Sequence, residues 1–255
     1  EYVASWYRDH GYDFLVLSDH NVFTDPQTLS HLVDSTFLLI PGEEVTSGFG
    51  GKSVHVNGLN LPHVVEARTA ESLVATLQAN VDAIREVEGV PHINHPNFQW
   101  SFGAEELRQI EEIWDILLTG GKRLFGIAVD DAHHFQGEFA ADRANPGRGW
   151  VSVKAPSLDA VSLMTALEAG HFYASTGVEL SDVVVTEQSI EVRIAVDRDF
   201  RYRTTFIGSG GRVLATTDAN PAVYTLVGDP AYVRARVSNS RGDVAWTQPV
   251  FVQPR

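Results

Sequence analysis

Residues 12–20 read YDFLVLSDH. Residues 12–18 (YDFLVLS) form a short apolar run the size of one buried strand, and the run leads into a carboxylate and an imidazole, Asp19 and His20. The same arrangement recurs along the chain. Residues 37–40 (FLLI), ended by Pro41-Gly42, lead into Glu43-Glu44, and residues 54–59 (VHVNGL) carry His55. Residues 90–93 (VPHI) lead into Asn94-His95-Pro96, and residues 124–129 (LFGIAV) into Asp130-Asp131-Ala132-His133-His134.

Helical periodicity separates these runs. Leu73, Val74, Leu77, Val81 and Ile84 share one face of a helix over 70–87. Leu107, Ile110, Ile113, Trp114 and Leu117 do the same over 105–118, before Gly120-Gly121. Ser157 is a suitable N-cap for a helix ending at Ala169-Gly170. Val3, Trp6 and Tyr7 are already in helical phase behind Glu1, with no initiator Met, so further chain is expected upstream. Short apolar strands alternating with helices predict a parallel α/β architecture, open or barrel-shaped, whose working face lies at the strand C-termini.

Beyond about residue 176 the period changes to two. Ile190, Val192, Ile194 and Val196 alternate with polar neighbours, as Val233, Ala235 and Val237 do with Arg234, Arg236 and Ser238. Turn signals fall between them at 208–211, 220–221, 228–230 and 241–243. This predicts a small antiparallel β-domain, a sandwich, with Arg241-Gly242-Asp243 as a hairpin turn. The expected division is 1–177 and 178–255.

The formal net charge of −14 disfavours binding to long nucleic acid. It suits a protein that gathers several divalent cations. With no cysteine, disulfides and thiolate metal sites are excluded, and the compartment stays open. No apolar run is long enough to span a membrane as a helix.

Each of the five predicted strands supplies or leads into a His or a carboxylate. Imidazole and carboxylate together suit zinc, manganese or iron, and several such groups on one face suit more than one metal. Arg143, Arg148 and Lys154 follow the last of them and are candidates to hold a phosphate. Phe98 and Trp100 are candidates to stack on an aromatic group, or to pack in the core.

Residues 12–21 (YDFLVLSDHN), 41–47 (PGEEVTS), 55–59 (HVNGL), 94–96 (NHP) and 129–134 (VDDAHH) together resemble the PHP (polymerase and histidinol phosphatase) superfamily. Residues 172–177 (FYASTG) and 245–249 (AWTQP) are similar to its CehA/McbA-type metallohydrolase branch. The resemblance implies a distorted (β/α)7 TIM-like barrel with up to three divalent metals at its mouth. Carried onto this chain, Glu44 bridges two metals, His55 and His95 complete one of them, and Asp131 serves the second. His20 and His133 serve the third, with Asp19 orienting His20. The family opens on a strand bearing His-x-His, and none precedes Asp19 here, so two of the three sites are expected to be short of ligands.

The expected activity is hydrolysis of a small phosphate ester, with His134 protonating the leaving oxygen and Arg143 and Arg148 binding the phosphate. The rival enzyme reading is attack on the carbonyl of a carbamate or other ester. A third reading is a catalytically incomplete binding protein.

Overall fold

The computed structural model describes residues 1–95, 104–140, 142–228 and 230–252, and of 104–110 the backbone alone. The chain divides into two compact units. The first comprises 1–100 with 155–168, and the second 101–154 with 169–255.

In the first unit, α1 (Tyr2–Asp9) precedes β1 (Phe14–Leu17), and a crossover containing the 3₁₀ turn Pro26–Leu32 leads to β2 (Leu38–Phe49). β1 and β2 pair in parallel, Phe14 opposite Leu38. The expected end of the second strand at Pro41-Gly42 is overrun, and β2 continues to Phe49. There Gly50 and Gly51, at φ +60° and +77°, turn the chain back as β3 (Lys52–Leu59). β2 and β3 are therefore an antiparallel hairpin. α2 (Leu73–Glu86) starts at Ser72, whose hydroxyl accepts the Ala75 N–H, and β4 (Val90–Ile93) adds antiparallel to β3. The sheet is open, in the order β1-β2-β3-β4. The helix Ala160–Ala169 also falls largely in this unit; Asp159, not Ser157, accepts its Ser162 N–H.

This corrects the (β/α)7 barrel. Among the described residues no sheet closes into a barrel, and strand outweighs helix. Parallel neighbours require a crossover of a dozen residues or more, and in this sheet only β1 to β2 has one. Residues 124–129 form no strand at all. Instead the Gln248 side chain accepts the Gly126 N–H at 2.9 Å and donates to its carbonyl at 2.8 Å, taking the place of a neighbouring strand.

The second unit opens on α3 (Ala104–Thr119), followed after a long segment by β5 (Trp150–Val153) and β6 (Phe172–Ser175). The remaining strands are β7 (Leu180–Val185), β8 (Ser189–Ile194), β9 (Tyr202–Gly208), β10 (Arg212–Thr217), β11 (Ala222–Thr225), β12 (Tyr232–Asn239), β13 (Val244–Thr247) and β14 (Val250–Phe251). One antiparallel sheet runs β10-β9-β12-β13-β6-β5, with β14 also on β12, and a second runs β11-β8-β7. Ile190, Val192 and Ile194 from the second sheet meet Phe206, Val233, Ala235, Val237 and Ala245 from the first in one core. β5 and β6, which precede residue 177, thus belong to the C-terminal sheet through β13. Arg241-Gly242-Asp243 closes the β12–β13 hairpin, its Asp243 carboxylate accepting from Arg241 and Asn239.

The face of β12 away from that core is polar, and its Tyr232 and Arg234 are buried. Arg234, 1% exposed, forks onto Asp115 of α3, with Nε to Oδ1 and Nη2 to Oδ2 both at 2.8 Å. The Tyr232 hydroxyl donates to the same carboxylate at 2.6 Å, and Glu111 accepts from Arg234 and from the Trp246 indole. Among the described residues, no helix is long and apolar enough to cross a membrane.

Candidate metal centre

The pleat of the first unit's sheet sorts its side chains. Val45, Val54 and Val56 fall on one face and pack with Ala83 and Ile84 of α2. Glu43 belongs to that apolar face. Its Oε2 accepts the Val65 N–H at 2.7 Å, and burial pushes its pKa up despite that bond. Glu44 falls on the other face, where register aligns it with Asn57 of β3, and Asn57 with His92 of β4. His20, just past β1, bridges to Glu44 in parallel, and Thr46 pairs with His55. One face is mainly apolar, with Glu43 and Ser47 its polar members; the other carries His20, Glu44, Thr46, His55, Asn57, His92 and Asn94.

Glu44 is the hub. It is 2% exposed. His55 Nδ1 lies 2.9 Å and His95 Nε2 3.1 Å from its Oε1, and His20 Nδ1 lies 3.3 Å from its Oε2. Asn94 donates to Oε1 at 3.0 Å. Burial pushes the Glu44 carboxyl up, but the hydrogen bonds from His95 and Asn94 and the charges of His20 and His55 outweigh it. The net pKa is lowered, so Glu44 is an anion at neutral pH. His92 is driven down to about 4, by burial first and then by His95, with Glu44 opposing; it is neutral at pH 7.

This donor set fits a divalent cation. His20, Glu44 and His55 offer ligand atoms that all lie within 4.8 Å of one another. Two imidazole nitrogens and a carboxylate oxygen at about 2.0–2.1 Å from one tetrahedral ion stand roughly 3.3 Å apart. Glu44 Oε1, His55 Nδ1 and His95 Nε2 are 2.9, 3.1 and 3.2 Å apart. Burial and a supporting amide hold the carboxylate in place, as a metal ligand requires.

The structure thus brings together His20, Glu44, His55 and His95. They do not ring the mouth of a barrel: Glu44 and His55 sit inside their strands, and the ligands spread across one sheet face. The His20 ring meets the Thr46 hydroxyl at 2.6 Å, a partner the sequence did not suggest, and Asn21 holds Thr46 through its backbone. Asn94 was missed as well.

Asp131, His133, His134, Arg143 and Arg148 lie in the second unit, on the strandless segment before β5. Asp130 organises that segment by accepting the N–H groups of Gly147, Arg148 and Gly149 at 2.6–2.8 Å. His133 Nδ1 lies 2.8 Å from the Asp131 carbonyl, a contact that protonates Nδ1 and leaves Nε2 as the basic nitrogen. His134 accepts from Asn145 through its carbonyl. Arg143 donates to the Glu138 carbonyl and Arg148 to the Arg143 carbonyl, while Lys154 pairs with Asp182. Pro96, Phe98 and Trp100 lie outside the described residues. No family model matches this chain, and neither a curated protein nor a solved structure matches it.

Proposed function

We propose that the chain is a metal-dependent hydrolase of the kind its PHP-like motifs suggest, acting on a small phosphate ester. The observation that carries this reading is the convergence of three imidazoles on one buried, ionised carboxylate. Zinc, manganese and iron are the cations this donor set favours, and up to three are expected in a complete site. Glu44 Oε1, His55 and His95 would hold one ion. Glu44 Oε2 and His20 would hold a second. Bound there, the ions would supply Lewis acidity. The protein's own part is to hold the donors rigidly: Asn94 fixes Oε1, and Thr46 fixes the His20 ring.

A second reading, hydrolysis of a carbamate or other ester, gains from one observation. Arg143 and Arg148 spend donors on backbone carbonyls of their own loop instead of leaving the whole fork for a phosphate. The test loads the protein with Mn²⁺ or Zn²⁺ and compares aryl phosphates and phosphodiesters with aryl N-methylcarbamates. Phosphate turnover that disappears in Glu44→Gln supports the proposal. Carbamate turnover alone selects the second reading, and fewer than two metals per chain with no turnover selects a binding protein.

A further inference from the structure

Asn57 stands on the metal-binding face, directly across the β2–β3 ladder from Glu44. Directly opposed residues of an antiparallel pair share a face, with Cα atoms about 4.5–5.5 Å apart. Asn57 is 9% exposed, and its Nδ2 reaches the Ser18 hydroxyl at 3.4 Å. Its Oδ1 is fully buried and has no hydrogen-bond partner among the described residues. A buried amide oxygen with nothing to accept from costs about 1–3 kcal/mol, so such an atom calls for an ion or water beside it. Its neighbours identify which. Across the strands stand His92 and Glu44, and the imidazoles of His20, His55 and His95 gather on the Glu44 carboxylate, which together make the donor set of a cation site.

We infer that Asn57 Oδ1 is an additional oxygen donor of the Glu44 centre. This rests on the proposed metal centre and adds a consequence for metal choice. An amide oxygen is a hard, neutral ligand. It favours manganese, which accepts oxygen-rich and higher-coordinate shells, more than zinc, which is satisfied by four donors including the imidazoles.

The experiment is direct titration of the intact chain with Mn²⁺ and with Zn²⁺, by calorimetry, for the wild type, Asn57→Leu and Asn57→Asp. Asn57→Leu keeps the branched outline and removes the oxygen. It is expected to weaken Mn²⁺ binding by about 10–100-fold, the range seen when a supporting polar group is lost, and Zn²⁺ binding by much less. Asn57→Asp keeps the oxygen and adds charge, and is expected to bind Mn²⁺ more tightly than the wild type. A purely structural Asn57 gives the opposite pattern: both metals weaken alike in Asn57→Leu, and Asn57→Asp weakens Mn²⁺ binding. That pattern overturns the inference while leaving the centre intact. A wild type that binds neither ion overturns the centre and the inference together. Circular dichroism on each variant identifies any that fails to fold; if Asn57→Leu does, the direction of the Asp change decides alone.

Discussion

Glu44 in the first unit and Asp115 in the second are both buried, at 2% and 5% exposure, and both gather several donors. Their partners differ in kind. Asp115 receives a guanidinium fork and a tyrosine hydroxyl, and the cation it faces is covalently part of the chain. Glu44 receives a neutral amide and imidazoles, and any positive charge on an imidazole depends on a proton. A guanidinium closes a site permanently. Imidazoles leave the compensating charge exchangeable, which is the condition for a cation to come and go. The first arrangement clamps α3 to the sheet; the second is fit for binding.

The sharpest way to break this comparison is to remove the permanent cation. Arg234→Met leaves Asp115 buried and uncompensated, and is expected to cost about 3–5 kcal/mol in urea denaturation. The double change Asp115→Leu with Arg234→Met should recover most of that loss, because replacing a whole buried pair by apolar groups is close to neutral. If Arg234→Met cost under about 1 kcal/mol, Asp115 would not depend on its partner.

The corresponding change at the other carboxylate should behave differently. Glu44→Gln keeps the shape and a hydrogen-bonding oxygen, so metal-free stability is expected to stay within about 1 kcal/mol of the wild type. Its affinity for Mn²⁺ should fall more than about 100-fold, with the charged oxygen gone. A cation present at about 100 times its dissociation constant raises wild-type stability by about 2.7 kcal/mol, and EDTA reverses it. Glu44→Gln should show neither effect at that concentration. A variant stabilised by Mn²⁺ as strongly as the wild type would show that the metal binds elsewhere.

The site was more legible than the fold around it. His20, Glu44, His55 and His95 stand out as polar groups in or just beyond apolar runs, and burial forces Glu44 and His55 to find partners. The helpers were less visible, yet His55-x-Asn57 and His92-x-Asn94 place polar residues at period two, marking one polar face of a sheet. Strand positions were legible too, but their direction was not. A short apolar run marks a strand buried on both faces without fixing which way its neighbour runs. The deciding signal was Gly50-Gly51, a two-residue turn whose positive φ angles suit glycine. Residues 124–129 misled for a long-range reason. The backbone at Gly126 is satisfied by the side chain of Gln248, and nothing local announces that.

The smallest effect concerns His92, and it sharpens the comparison along the pH axis. Its folded pKa of about 4 lies below the ordinary 6.5, through burial and the neighbouring His95 charge, with Glu44 opposing. Between those values the unfolded chain takes up a proton that the folded chain refuses. Stability present above pH 6.5 is therefore lost as pH falls toward 4. A tenfold difference in proton affinity between the two states is worth about 1.4 kcal/mol, and solvent screening of a partly exposed ring reduces the total to roughly 1–2 kcal/mol. Glu44, with its lowered pKa, gives up its own contribution as pH falls below the ordinary carboxylate value of 4.5. Urea denaturation at pH 7 and pH 5 should show the wild type losing more stability than His92→Asn, which has no proton to gain there. The Arg234 guanidinium stays charged throughout, so an Arg234→Met background should retain the same difference. Equal slopes for the wild type and His92→Asn would mean that the ring titrates in the folded chain as it does in the unfolded one, and the imidazole face would then be wetter than its burial indicates.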